Sequence, residues 1–303
     1  MTAFRGLIAY PVTPFAEDGS VNHAELERHV DSLARSGVDG ITLLGSSGSF
    51  AYLDPAERRA VIARGTAAAR GAGPALPVYA GVSAVSTTEL LRHAEDAAAA
   101  GVDGLLVSTV SYVPLNDDEV ANQCRLVASA VDLPICLYSN PGTTAYAFPL
   151  GVSAELSRVP GIAALKESAA DTAGFRERYD RLRGLRAGSP EDFSHGMSGD
   201  ALIAEAGFAA DAWHSGPASL LPHHFAALRR AVVAGDAAGT GRLHAELSPL
   251  LHAFTGLRKL SNLYALARAT GVDAGEPRLP LLPIPGSSQR ELSRLIDTLA
   301  EPL

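Results

Sequence analysis

Lys166 stands inside an apolar stretch, Gly161-Ile-Ala-Ala-Leu-Lys-Glu-Ser168. The stretch reads as a short strand with the lysine near its C-terminal end, and lysine is almost never fully buried unless it is paired or put to use. A desolvated amine gives up its proton more readily, and the neutral amine is the nucleophile that forms Schiff bases with carbonyl compounds. One predicted strand earlier, Ile135-Cys-Leu-Tyr-Ser-Asn-Pro141 places Tyr138 at a comparable position. A lysine and a phenol at the ends of neighbouring strands point to carbonyl chemistry with acid–base help. Each residue alone also has a plainer reading. Strand-end lysines often snorkel to the surface, and a tyrosine closing an apolar run often edges a core with its hydroxyl in water. The elements that carry the two residues decide the matter.

Those elements repeat. Ser36-Gly-Val-Asp-Gly-Ile-Thr-Leu-Leu-Gly45 resembles Ala100-Gly-Val-Asp-Gly-Leu-Leu-Val-Ser-Thr109, and Ala206-Gly-Phe-Ala-Ala-Asp-Ala-Trp-His-Ser-Gly216 is a looser third copy. Each joins a helix end, a glycine suited to a left-handed C-cap, and an apolar strand. Two further strands follow Leu-Pro, at Leu76-Pro77 and Leu133-Pro134, where proline stops a helix and starts extended chain. The whole chain yields eight apolar strands, beginning near Leu7, Gly40, Pro77, Gly104, Pro134, Ile162, Leu185 and Ala212. Alanine-rich helical stretches such as Pro55 to Arg70 and Thr87 to Ala100 lie between them. Unalternating apolar strands separated by helices indicate a parallel sheet buried on both faces, and eight such units indicate an α/β fold of the closed (β/α)8 TIM-barrel type. An open doubly wound sheet would more often carry a glycine-rich turn after its first strand; here that turn is Tyr10-Pro-Val-Thr-Pro-Phe15. The reading divides the chain into a catalytic barrel over 1–219 and a C-terminal helical appendage over 220–303, with a proline-rich break from Pro277 to Pro285.

Barrel enzymes place their chemistry at the C-terminal ends of the strands. That rule selects Thr13, Gly45-Ser-Ser-Gly-Ser49, Gly81-Val-Ser83, Ser111-Tyr112, Tyr138, Lys166, Ser189 and His214-Ser-Gly216. The glycine–serine loop lets backbone N–H groups approach a ligand closely and adds hydroxyl donors, which suits a carboxylate or phosphate. It is neither a P-loop nor a nucleophile elbow, since no Gly-Lys-Ser/Thr follows and Ser49 stands where the last glycine of the elbow would be.

Composition narrows the function classes. The chain has 303 residues, a net charge of -8 and no basic block, which argues against nucleic acid or an anionic membrane as partner. Two cysteines, Cys124 and Cys136, stand outside any CxxC spacing, so a disulfide framework is not expected and a cytoplasmic setting is. The N-terminal residues lack a signal-peptide pattern, and no apolar run reaches the length of a membrane span.

With these residues in place, the chain resembles the dihydrodipicolinate synthase / N-acetylneuraminate lyase family of pyruvate-type class I aldolases. The resemblance covers nearly the whole chain and rests on Pro11-Val-Thr-Pro14, Gly45-Ser-Ser-Gly48, Tyr138-Ser-Asn-Pro141 and Leu165-Lys-Glu-Ser168, in that order. It implies that Lys166 forms the Schiff base and that Tyr138 is the general acid–base. Of the hydroxyl pair, Ser46 would relay protons to Tyr138, while Ser47, with Gly45 in the same loop, would hold the 2-oxo acid carboxylate. Tyr112 matches a tyrosine that reaches into a neighbouring subunit's site, which implies a homo-oligomer, a tetramer built as a dimer of dimers. The resemblance implies no metal and no organic cofactor, and a small-molecule 2-oxo acid as the substrate.

The departures surround the substrate pocket. Ser49 replaces an acidic residue, Thr143 stands where dihydrodipicolinate synthases carry an arginine for the second substrate's carboxylate, and His214 replaces an aliphatic residue facing the lysine. Threonine cannot substitute for a planar bidentate carboxylate binder. The segment from Ser189 to Met197 reads as a lengthened loop after the seventh strand. The expected function is therefore a Schiff-base lyase on pyruvate or a related 2-oxo acid, with altered substrate choice. The alternatives are a sugar-acid dehydratase or hydratase-aldolase, a true 4-hydroxy-tetrahydrodipicolinate synthase, and a non-catalytic 2-oxo acid binder. The adjacent His223 and His224 do not share a helix face and are expected to serve packing or the surface.

Overall fold

The repeated Gly-Val-Asp segment has a structural cause. In a computed structural model, which describes residues 3–73, 76–186, 193–202 and 210–300, each of its aspartates caps a neighbouring strand at the base of the sheet. Asp39 Oδ2 accepts from Leu7 N–H at 2.7 Å, Asp103 Oδ2 from Val78 N–H at 2.7 Å, and Asp211 Oδ2 from His195 N–H at 2.9 Å. An N–H near the start of a strand would otherwise lack a partner. The glycines at 37 and 101 take φ of +84° and +76°, the left-handed turn that ends a helix and releases the chain into the next strand.

Eight parallel strands close into a barrel in sequence order: β1 (Gly6–Ala9), β2 (Gly40–Leu43), β3 (Val78–Gly81), β4 (Gly104–Ser108), β5 (Ile135–Ser139), β6 (Ile162–Ser168), β7 (Ser194–Ser198) and β8 (Ala212–Ser215). Around it run α1 (His23–Ala34), α2 (Pro55–Gly71), α3 (Thr87–Ala99), α4 (Asp117–Ala130), the short α5 (Pro141–Thr144), α6 (Leu150–Leu156), α7 (Thr172–Leu185) and α8 (Pro222–Val233). Beyond them come α9 (Ala237–Thr255), α10 (Ser261–Ala269) and α11 (Gly286–Asp297). The helix starts are written into the sequence. Asp54 and Asn116 form capping boxes with Glu57 and Glu119, and Ser86 accepts from Glu89 N–H, each cap satisfying orphan donors of a first turn.

Side chains alternate between the lumen and the helical shell. Phe4, Ile8, Tyr10, Tyr79, Leu106, Cys136, Tyr138, Ala164 and Ala212 form a separate buried cluster, the barrel interior. At the base Phe4 stacks on Tyr79 with ring centroids 3.9 Å apart, and Phe4 N–H donates to Tyr79 Oη at 2.9 Å. On the shell side of β6, Glu167 pairs with Arg178 of α7 and with His195 Nε2 at 2.8 Å. That tie fixes β6 to β7 and to its own following helix, one residue from Lys166. The two cysteines are free and buried.

One expected strand is misplaced. Leu185 is the last residue of α7, and the seventh strand begins at Ser194. The segment read as a long loop therefore contains β7 itself, whose sequence Ser-His-Gly-Met-Ser is too polar to announce a strand. Ser189 and the start of the third repeat copy, 206–209, lie outside the described residues. No helix among the described residues is long and apolar enough to cross a membrane.

Candidate active site

Register brings the two sequence-predicted chemical residues side by side. Tyr138 on β5 pairs directly with Lys166 on β6, and both point into the barrel mouth because they share a pleat face. Lys166 is buried, with 5% of its surface exposed. Its Nζ lies 3.9 Å from the centroid of the Tyr138 ring and 3.8 Å from that of Tyr10, at the end of β1. A nitrogen between two aromatic faces occupies a site suited to positive charge.

Tyr10 escaped the sequence reading, which looked past the end of β1 to Thr13. Burial is the main reason its phenol is raised well above the ordinary range, with Cys136 adding to it. Its hydroxyl and His214 Nδ1 share a hydrogen bond of 2.8 Å. Burial, and after it the charges of Lys166 and Arg229, hold the His214 imidazole well below its usual pKa, so the ring stays neutral beside the amine. His214 Nε2 is buried without a partner among the described residues. Two glycines make room for this pair. A β-carbon at Gly45 would stand 2.5 Å from Tyr10 Cδ1, and one at Gly196 would stand 2.3 Å from His214 Nε2.

The mouth opens into a cavity of about 520 Å³ lined by Ser46, Ser47, Tyr138, Thr143, Lys166 and His214, among others. Of the expected site residues, these six are brought together. Gly45 caps the short helical turn over Ser46–Gly48. Thr13 supports that turn, its Oγ1 donating to Gly48 O at 2.7 Å. Gly216 clears space for Ser47, whose Oγ would stand 2.9 Å from a β-carbon there. Ser49 does not reach the cavity; it is buried at φ +55° and bonds Tyr264 Oη at 3.0 Å. Ser83 bonds Ser108 at 2.8 Å and braces β3 against β4. Tyr112 lies apart from the cavity, 95% exposed on the loop after β4. His224 Nε2 bonds Ala300 O at 3.0 Å, a packing role.

Four further residues enter the site. Asn140 Nδ2 donates to Tyr138 Oη at 2.7 Å and orients the phenol. Asp200, half-buried just past β7, bonds the Ser215 hydroxyl. Burial raises the Asp200 carboxyl to about 6, against the pull of Ser215 and Lys166. Arg258 and Lys259, from the turn between α9 and α10, line the outer rim. A larger groove of about 870 Å³ runs between α1 and α2, but it is open surface lined by alanines and the Arg64–Glu27 ion pair. Among the described residues no group of three His, Cys, Asp or Glu is placed to hold a metal ion.

This geometry has close parallels in known proteins. The chain is 33% identical over 292 residues to a 4-hydroxy-tetrahydrodipicolinate synthase of Alcanivorax borkumensis, covering 95% of each chain. It is 28% identical over 291 residues to one of Methanosarcina mazei, covering 96% of each. A crystal structure of dihydrodipicolinate synthase from Agrobacterium tumefaciens superposes with a TM-score of 0.90 at 34% identity, over 98% of both chains. The profile described as the dihydrodipicolinate synthetase family matches residues 3–299. A closed barrel with a buried lysine and tyrosine in register and a match from end to end lead to one conclusion: the chain belongs to the dihydrodipicolinate synthetase family and is an enzyme of its lyase type.

Proposed function

We propose that this enzyme is a Schiff-base-forming lyase, a class I aldolase acting on pyruvate or a related 2-oxo acid. The observation that carries the reading is the Lys166 amine held between the Tyr10 and Tyr138 rings at the floor of a polar cavity. In its neutral form the amine attacks C2 of the 2-oxo acid. The carbonyl oxygen takes up two protons and leaves as water, which yields an iminium on Lys166. The cationic nitrogen draws the electron pair of the C3–C4 bond toward itself, while a base removes the proton of the C4 hydroxyl and an aldehyde departs. Protonation of the enamine at C3 and hydrolysis return pyruvate and the free amine. Tyr138 is the acid–base in this reading, since Asn140 fixes its hydroxyl. Ser46 relays protons to it, and Ser47 with the backbone of the Gly45 loop holds the carboxylate.

A second reading, loss of water rather than of an aldehyde, is favoured by Asp200. A carboxyl that keeps its proton up to about pH 6 beside Lys166 is suited to protonate a departing hydroxyl. True 4-hydroxy-tetrahydrodipicolinate synthase activity fits less well, because Thr143 offers no bidentate carboxylate binder at the cavity wall. Tyr112 and Val113, both exposed, form the contact of a homotetramer in this reading, and its setting is the cytoplasm.

Borohydride reduction in the presence of pyruvate, followed by peptide mass spectrometry, tests the proposal. A stable adduct on Lys166, lost in Lys166→Ala, is the expected result. Absence of an adduct with pyruvate and with every larger 2-oxo acid would overturn it, and pyruvate release from sugar-acid substrates separates aldolase from dehydratase.

A further inference from the structure

The cavity has two chemically distinct ends. Its floor holds Lys166, Tyr138, Tyr10 and His214; its rim holds Arg258 and Lys259. Both rim cations are exposed, and among the described residues neither forms an ion pair, although Arg5, Arg64, Arg70, Arg125, Arg178 and Arg278 all do. In a protein of net charge -8, two unpaired cations side by side on a cavity rim are an attractive site for an anion. Among the described residues the one carboxylate side chain lining the cavity, Asp200, is engaged with Ser215 instead.

The turn that carries them is built to hold a fixed shape. Leu260, a non-glycine residue, sits at φ +69° and ψ −53°, a conformation that costs energy and persists only where the surroundings impose it. Asn262 imposes it from both directions. Its N–H donates to Arg258 O at 2.9 Å and its Nδ2 donates to Phe254 O at 3.1 Å, which clasps the turn to the end of α9. The turn reaches across the mouth: a β-carbon on Gly142 would stand 3.6 Å from Lys259 Nζ and 3.7 Å from Asn140 Oδ1. Lys259 thus approaches α5, the segment that directs Tyr138 through Asn140. About 520 Å³ is also more space than a three-carbon acid fills and lies in the range of sites for larger ligands.

We infer that Arg258 and Lys259 form an anion subsite for the far end of the substrate, so that the enzyme prefers a 2-oxo acid bearing a second, distal carboxylate. This inference rests on the Schiff-base reading above for the near end. The distal group could equally be offered as a phosphonate, which shares the charge but differs in geometry.

Borohydride trapping tests it with chain-matched 2-oxo acids: 2-oxohexanoate, 2-oxoadipate with its distal carboxylate, and the phosphonate-tailed analogue of the same length. The reading is the concentration giving half-maximal adduct. The wild-type enzyme should trap 2-oxoadipate at about tenfold lower concentration than 2-oxohexanoate, the advantage expected of two partly screened ion pairs. In Arg258→Gln/Lys259→Gln the ratio should fall to about one, and in the wild type it should shrink as salt rises. A phosphonate preferred over the carboxylate would reassign the distal group and overturn the diacid. Pyruvate trapping without any diacid advantage would overturn the subsite and leave the Schiff-base reading standing. No trapping of any 2-oxo acid would overturn both.

Discussion

Tyr10 and His214 join β1 to β8 inside the barrel through a 2.8 Å hydrogen bond, directly beside the lysine amine. The bond crosses the seam where the first and last strands close the sheet. It also leaves the imidazole with one nitrogen satisfied and the other buried without a partner among the described residues.

Tyr10→Phe deletes this bond while keeping the ring that faces Lys166. His214 then has two buried nitrogens to satisfy instead of one. The expected cost is about 1–3 kcal/mol, read as a lower urea midpoint at unchanged slope. An unaltered midpoint would show that the bond contributes nothing net.

Gly196→Ala places a methyl against His214 Nε2 and 3.0 Å from Ala212 Cβ. In a closed lumen that overlap cannot relax freely, and about 1–3 kcal/mol of destabilisation is expected. Combining it with His214→Ala removes the clash, so the double variant should be more stable than the sum of the single effects. Strict additivity would mean that the two positions do not press on each other.

Tyr138→Phe leaves the packing around Lys166 intact and removes the hydroxyl proposed as the acid–base. Turnover should fall by about 10²–10⁴. The adduct with pyruvate should still form under long incubation, since the amine is untouched. A variant that kept wild-type turnover would move the proton-transfer role elsewhere.

Asp200 sets a signed pH dependence. Its carboxyl titrates near 3.8 in the unfolded chain and near 6 in the folded one, so the folded state binds more protons between those values. Stability from this group is fully present below about pH 4 and is lost as pH rises through 6. The stability of wild type minus that of Asp200→Asn should therefore decrease across pH 4 to 6 and level off above 7. A difference that rose over the same interval would contradict the raised carboxyl described above.

The barrel was largely legible because its strands carry their own start signals: the Gly-Val-Asp repeats, whose aspartates cap neighbouring strands, and the Leu-Pro junctions before β3 and β5. Lys166 and Tyr138 were legible because a charged or polar residue in an apolar strand is conspicuous. The seventh strand was not, because Ser194, Gly196 and Ser198 line a crowded lumen and His195 is spent on Glu167. None of these residues is typical of a strand. Tyr10 was overlooked because a tyrosine at an apolar strand end is ordinary until its partner is known, and that partner lies 204 positions away. Arg258 and Lys259 look like any exposed basic pair in sequence; only the clasped turn carries them to the cavity.

The fit of His214 against Gly196 also constrains the history of this site. A barrel with any side chain at position 196 could not accept the imidazole without strain, whereas one with glycine there could gain the histidine in a single step. Glycine at position 196 is thus the condition under which histidine at 214 fits. Ancestral reconstruction should find them acquired in that order.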